Sequence, residues 1–200
     1  MALAPLTELD AVNQCLARIG ATAVNSLQSQ NTTIDAETAL RLLRTNSTKL
    51  QLKGWHWNQE CRTFQPDTEG NIYLPTNTLR ADAVYPSNAL DVVNRGNRLY
   101  NLSTNSYEFT SAVTLELILG LDFNELPAPA KVFLSDQTKL DFYINSYGVD
   151  EVTQIDREQV QSSWQALMQE DGEVADYNVL WDNNDSAIIA GRAFSHPLWF

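Results

Sequence analysis

The sequence predicts an α+β fold: a four-helix bundle formed by N- and C-terminal helix pairs, with an antiparallel β domain inserted between them. Three observations carry this expectation. The apolar period is three-to-four over the first fifty residues, shortens to two across the middle of the chain, and lengthens again after Leu126. Nearly every glycine stands at one of these changeovers. A hydrophobic content of 44% over 200 residues is enough to bury a sizeable core, which excludes disorder of the whole chain. The boundaries expected are 1–54 and 126–176 for the helical bundle, 55–125 for the β domain, and 177–200 for an irregular C-terminal tail.

Each element has its own warrant. Thr7-Glu8-Leu9-Asp10 can cap a helix over 7–19, with Leu9, Val12, Leu16 and Ile19 on one face and Gly20 closing it. A second, longer helix carries Ile34, Leu40, Leu43 and Leu50 and ends at Gly54; its acids come early and its bases late, as the helix dipole prefers. From Trp55 the spacing alternates, so a first strand is expected over 55–64 with Trp55, Trp57 and Cys61 on one face. Pro66 to Asn71 is a turn by composition and leads into a strand at Ile72-Tyr73-Leu74. Arg95-Gly96-Asn97-Arg98 joins Val92-Val93 to Leu99-Tyr100 as a hairpin. Ser111 to Leu121 is the last long strand, with Val113, Leu115, Leu117 and Leu119 alternating against Thr114 and Glu116. Pro127 and Pro129 suit the first turn of a third helix, lined by Phe133, Leu134, Leu140 and Ile144 up to Gly148. A fourth gathers Val152, Ile155, Val160, Trp164, Leu167 and Met168 and ends near Gly172.

The net charge of −12 is unevenly spread. Residues 1–140 hold 14 acids against 11 bases, whereas residues 141–200 hold 11 acids and only Arg157 and Arg192. Such a field repels phosphate and disfavours tight nucleic-acid binding through the C-terminal region. No apolar stretch is long enough to span a bilayer, which excludes membrane insertion as a helix and places the chain in the cytoplasm of the cell that makes it. The two cysteines, Cys15 and Cys61, are expected to be buried small hydrophobes without a disulfide.

Chemistry finds little support. His56 and His196 are the only histidines, and His56 and Cys61 would point to opposite faces of a strand, so no local dyad forms. CxxC and HxxxH spacings are absent, leaving no metal expected; Asp182 to Ser186 resembles a calcium loop but has Ala187 and Ala193 where glycine and an acid are needed. No phosphate-binding glycine loop exists and no cofactor is expected. Paired carboxylates remain as the alternative: a tail-associated glycan-degrading hydrolase would draw on Asp150/Glu151, Asp156/Glu158 or Glu170/Asp171/Glu173. Trp55 and Trp57 could stack on a sugar, though tryptophans alternating after a helix are more often core. The apolar Leu198-Trp199-Phe200 suits partner contact.

Ala11 to Gly20, Leu52 to Glu60, Val93 to Tyr100 and Leu126-Pro127, occurring in that order, resemble the tail tubular protein A family of short-tailed bacteriophages. The resemblance extends to about Phe194, and Ser195–Phe200 departs from it. It implies a virion tail protein, not an enzyme, assembled in the host cytoplasm. In that family twelve copies form an adaptor ring between the portal protein and the nozzle, tail tubular protein B; the ring encloses part of the DNA ejection channel, and tail fibres attach nearby. On that footing the interface candidates are Trp55, Trp57, Arg95, Arg98, Ile188, Ile189, Leu198, Trp199 and Phe200. The channel-facing candidates are Asp150, Glu151, Asp156, Glu158, Glu170, Asp171 and Glu173, whose like charge would keep passing DNA from adhering.

Overall fold

A computed structural model of the chain describes residues 5–28, 33–149 and 152–174. In chain order come α1 (Glu8–Arg18), α2 (Ile34–Gln51), a 3-10 turn (His56–Asn58), β1 (Gln59–Phe64), β2 (Thr78–Ala83), β3 (Val92–Arg95), β4 (Arg98–Asn101), β5 (Val113–Leu119), a second 3-10 turn (Phe123–Glu125), α3 (Ala128–Tyr147) and α4 (Gln154–Val174). Among the described residues, four helices and two antiparallel sheets make the α+β mixture that the change of period implies.

Helix α1 begins where its cap dictates. The Thr7 hydroxyl accepts the Asp10 N–H at 3.2 Å while the Asp10 carboxylate accepts the Thr7 N–H at 3.0 Å, a reciprocal capping box. Helix α1 packs on α2 and α3, α2 packs on α3, and α3 packs on α4. Leu16, Leu43, Leu134, Phe142 and Leu167 fill the core between them. A second core lies in the β region and is built by Ile72, Leu99, Val113, Leu115 and Leu117. Leu121, where β5 leaves the sheet, packs against both cores.

The larger sheet has the order β1-β5-β2, so β5 is flanked on both edges. Cys61 pairs with Glu116 on one side and Ala81 with Leu117 on the other. Strands β3 and β4 form the expected hairpin, with Gly96 at φ 59° and Asn97 at φ 66°. Two consecutive left-handed residues are what a type I′ turn requires, and its twist matches that of the flanking strands.

The helices are joined to the larger sheet by buried amides. Asn58 donates to the carbonyls of Gln51 and Leu119 at 3.0 and 2.9 Å and accepts the Trp55 N–H at 2.8 Å. Gln51 donates to the Leu121 carbonyl at 3.0 Å and accepts the Leu121 N–H at 2.7 Å. The Trp55 indole donates to the Leu50 carbonyl at 2.8 Å. The Asn58 and Trp55 bonds add side-chain donors to the Gln51 and Leu50 carbonyls, which also accept the Gly54 and Lys53 N–H groups at the end of α2. Gly54 lets the chain turn here at φ +75°, and a Cβ on it would stand 2.7 Å from Ile118 Cδ1.

The structure corrects several expectations. Strand β1 starts at Gln59 and not at Trp55, because the turn closed by Asn58 precedes it. Trp55 therefore belongs to the helical core, whereas Cys61 is exposed, so neither the shared face nor the expectation of two buried thiols holds. Strand β2 was not expected at all. Ile72 and Leu74 are buried, but their segment is a connector touching β4 through a single bridge at Tyr73 and Arg98, not a strand. Ile34, Ile155 and Met168 lie exposed although their spacing assigns them to inner faces. Helix α4 continues through Gly172 to Val174.

Two substitutions probe the joint. Gly54→Ala should cost about 1–3 kcal/mol, from left-handed strain together with the Ile118 clash. Asn58→Ala should cost at least about 2 kcal/mol, because it removes three buried hydrogen bonds, to Gln51, Leu119 and the Trp55 N–H. Urea denaturation of both variants measures this, and wild-type midpoints would show that the joint contributes nothing.

Candidate assembly surfaces

Three groups of side chains stand out, and the first is the β3–β4 hairpin. The tight turn places Arg95 and Arg98 at its two shoulders. The Arg95 guanidinium lies 3.8 Å above the Tyr100 ring, and that of Arg98 lies 4.4 Å from Tyr107 and 5.8 Å from Tyr73. Tyr100 and Tyr107 meet edge to face at 4.8 Å. Arg98 also donates to the buried Asn71 side chain. Its Nε and the Asn94 Oδ1 are buried with no hydrogen-bond partner among the described residues. Guanidinium groups stacked on tyrosines present rigid, partly dehydrated contact area, the combination that dominates binding energy at protein interfaces. Tyr73 and Tyr85 add exposed aromatic surface in the same β region.

The second group is aromatic and follows from the turn after α2. Trp55 and Trp57 stack at 6.1 Å, Trp164 of α4 meets Trp55 edge-on at 5.6 Å, and Phe133 of α3 lies 5.0 Å from Trp164. Trp55 is buried, so its surface is already used inside its own chain; Trp57 is half-buried. Lys53 places its ammonium 4.0 Å above Trp164. His56 of the same turn pairs through Nδ1 with Asp171 of α4.

The third group is the acids of α4. Asp156 accepts both a 2.8 and a 2.9 Å bond from Arg18, and thereby fastens α4 to α1. The Thr153 hydroxyl bonds it at 2.6 Å and is the main reason its carboxyl sits below the ordinary 3.8, with the Thr153 N–H and Arg18 adding to the effect. That is the opposite of what a general acid needs. Asp171 is held by His56, while Glu158 and Glu173 are exposed and take i−4 glutamine amides. Glu170 is half-buried. The remaining expected positions, Asp150, Glu151, Ile188, Ile189, Leu198, Trp199 and Phe200, lie outside the described residues.

The tyrosines around Arg95 and Arg98, and the amides Gln51 and Asn58, escaped sequence reasoning. Tyr73, Tyr100 and Tyr107 are spread over 35 residues of loop and strand, and only the hairpin pairing brings them together. Among the described residues no three His, Cys, Asp or Glu side chains converge to hold a metal, and no helix is long and apolar enough to cross a membrane.

A chain with two cores joined by saturated buried amides, and with its charged and aromatic groups displayed on separate elements, belongs by class to the α+β proteins. Residues 9–177 match the tail tubular protein family. The chain is 33% identical over 147 residues to tail tubular protein A of Klebsiella phage KP34, covering 72% of this chain and 76% of the relative. It belongs to the tail tubular protein family and is a structural component of a bacteriophage tail.

Two solution measurements follow from this geometry. A depressed carboxylate stabilises the fold fully above its unfolded value and loses that contribution as pH falls through its folded value. Asp156→Asn should therefore lower the thermal midpoint at pH 7, and its deficit against wild type should close below pH 3.8. A deficit that persists unchanged in acid would mean the carboxylate's charge is not what fastens α4. For the thiols, burial pushes Cys15 up to about 12, whereas Cys61 is exposed. A maleimide should label Cys61 alone in the native protein and reach Cys15 only after denaturation, as peptide mass mapping would show.

Proposed function

We propose that this protein is the adaptor ring between portal and tail nozzle, twelve copies enclosing part of the DNA ejection channel. It would assemble in the host cytoplasm, bind the portal protein on one side and tail tubular protein B on the other, and carry tail fibres nearby. Family membership supports the tail role. The observation that carries the ring is that each chain bears two unlike surfaces on different elements. One is the Arg95/Arg98 hairpin with its tyrosines; the other is the acidic face of α4 bearing Glu158 and Glu173. Head-to-tail contacts that close into a ring need two such different, complementary surfaces on every copy, not one self-complementary patch.

Exposed α4 acids that are not taken up by neighbouring copies would face the channel, where their charge repels the phosphate backbone. Asp156 and Asp171 contribute less to such a field, because Arg18 and His56 engage them within the chain.

Mass photometry of the purified protein with and without portal tests the ring. Wild type should reach a twelve-copy mass when portal is present, and Arg95→Glu with Arg98→Glu should reduce ring yield at least about tenfold, the loss expected on removing two interface anchors. Rings formed equally well by the double variant would remove the hairpin from the interface. Glu158→Lys with Glu173→Lys should slow genome ejection at low salt, and unchanged ejection would assign these acids to the outer surface.

A further inference from the structure

A groove of about 480 Å³ runs between α3 and α4 beside the end of α2. Phe133, Gln137 and Leu140 line it from α3, and Arg157, Val160 and Trp164 line it from α4, so each helix contributes residues spaced three and four apart along one face. Its apolar floor, Phe133, Leu140, Val160 and Trp164, is only half-buried, and the exposed Lys53 and Arg157 stand on its rim. Among the described residues no acid lines the groove, and neither rim cation has a carboxylate partner, although the chain carries a net charge of −12. Asp141, in the adjoining hollow, is already bonded to Asn46 and Gln137 at 2.9 and 2.8 Å. The groove is thus aromatic and aliphatic inside and positively charged at its edge.

The same chain carries a knob of matching character. Tyr85, in the loop that joins β2 to β3, is 83% exposed, so its own fold makes little use of it. The turn that presents it is fixed: the Ser87 N–H donates to the Val84 carbonyl at 2.7 Å, and the Ser87 hydroxyl accepts the Thr114 N–H of β5 at 3.1 Å. A side chain held on a rigid turn loses little freedom on docking. Residues 82–91 carry Asp82 and Asp91 and no base, which gives the loop the sign that the rim lacks. A phenol ring can stack on Trp164 and Phe133 while the rim cations approach its face.

We propose that Tyr85 of one copy docks in the α3–α4 groove of the next copy. The inference rests on the head-to-tail reading of the ring given above and names a contact within it. Both halves of the contact adjoin surfaces already assigned to that interface. The Asp91 carbonyl accepts the Leu102 N–H at 2.8 Å, which ties the knob loop to the foot of the Arg95/Arg98 hairpin. Gln161 of the groove lies one turn along α4 from Glu158 of the acidic face. Because knob and groove differ, every copy offers one of each to its two neighbours, and the contact propagates until the ring closes.

The test uses the full chain with portal, as equal amounts of isotope-labelled and unlabelled protein in which p-benzoylphenylalanine, an aromatic photo-cross-linker, replaces Tyr85. Irradiation should join position 85 to peptides spanning 133–140 or 157–164 of a differently labelled copy. Rings whose cross-links fall elsewhere, or within one chain, would overturn the proposal and leave the ring standing; wild type that stays a single chain beside portal would overturn both. Direction supplies a second readout. Tyr85→Ala lacks the knob and Lys53→Glu with Arg157→Glu reverses the rim, and each should lower ring yield at least about tenfold in mass photometry with helical circular dichroism unchanged. Mixed together, the two variants still share one intact knob and one intact groove, and should form a dimer that neither forms alone. Wild-type ring yield from both variants would place Tyr85 and the groove outside the interface.

Discussion

The structure depends on one constraint: the buried end of α2, at Leu50 and Gln51, is tied by side-chain hydrogen bonds to the turn that follows it and to the end of β5. Asn58, only 1% exposed, donates one of those bonds to Gln51 from a turn four residues past Gly54, and the Trp55 indole donates another to Leu50. Because the same Asn58 amide also reaches Leu119 at the end of β5, satisfying the helix fixes where the sheet must begin. Gln51, 2% exposed, repeats the arrangement from the helix side by pairing both its oxygen and its nitrogen with Leu121. Each buried amide left unmatched would cost about 1–3 kcal/mol, so the two elements cannot shift relative to one another without losing several bonds together.

The same region changes the meaning of the stretch from Leu52 to Glu60. Read as a strand, Trp55-His56-Trp57 looks like an aromatic display. Folded, it is a joint in which Trp55 plugs the helical core, His56 takes Asp171 of α4, and Asn58 closes the turn. Two of the acids expected to line a channel turn out to be fasteners of α4, Asp156 to α1 and Asp171 to this turn. Charge along that helix is thus divided between holding the helix in place and presenting an exposed acidic face.

Much of the fold was legible because it rests on local rules. Capping at Thr7, the Gly96-Asn97 turn and the alternation of Val113 to Leu119 each need only neighbouring residues, and each was found as expected. Strand β2 was not legible because Thr78-Leu79-Arg80-Ala81-Asp82-Ala83 has a single large apolar residue; it is a strand because β5 offers it an edge. The start of β1 failed for a related reason. Alternation cannot distinguish a strand from a turn whose geometry is imposed by a distant carbonyl, here that of Leu119. Ile34 and Ile155 sit at helix starts, where the apolar period continues past the point at which a neighbouring helix is present to cover it. Arg95 and Arg98 were legible as candidates, but the tyrosines that orient them were not, since nothing local links residue 73 to residue 107.

Rigidity at the joint bears on how such a protein can work. A side chain that does chemistry is commonly left under-satisfied until its substrate arrives, in a cleft where several such groups converge. Here the deeply buried amides of the joint are saturated, and the Asp156 carboxylate is stabilised in its charged form by Thr153 and Arg18. Of the four buried polar atoms without a partner among the described residues, Asn94 Oδ1 and Arg98 Nε belong to the hairpin, beside stacked arginines and tyrosines. The other two, Trp57 Nε1 and Thr78 Oγ1, lie in the turn after α2 and at the start of β2, so the four do not converge in one cleft. A joint saturated in this way fixes the end of α2 against the end of β5, and the charged and aromatic side chains of α4 and of the hairpin are displayed on elements that this joint holds in one arrangement.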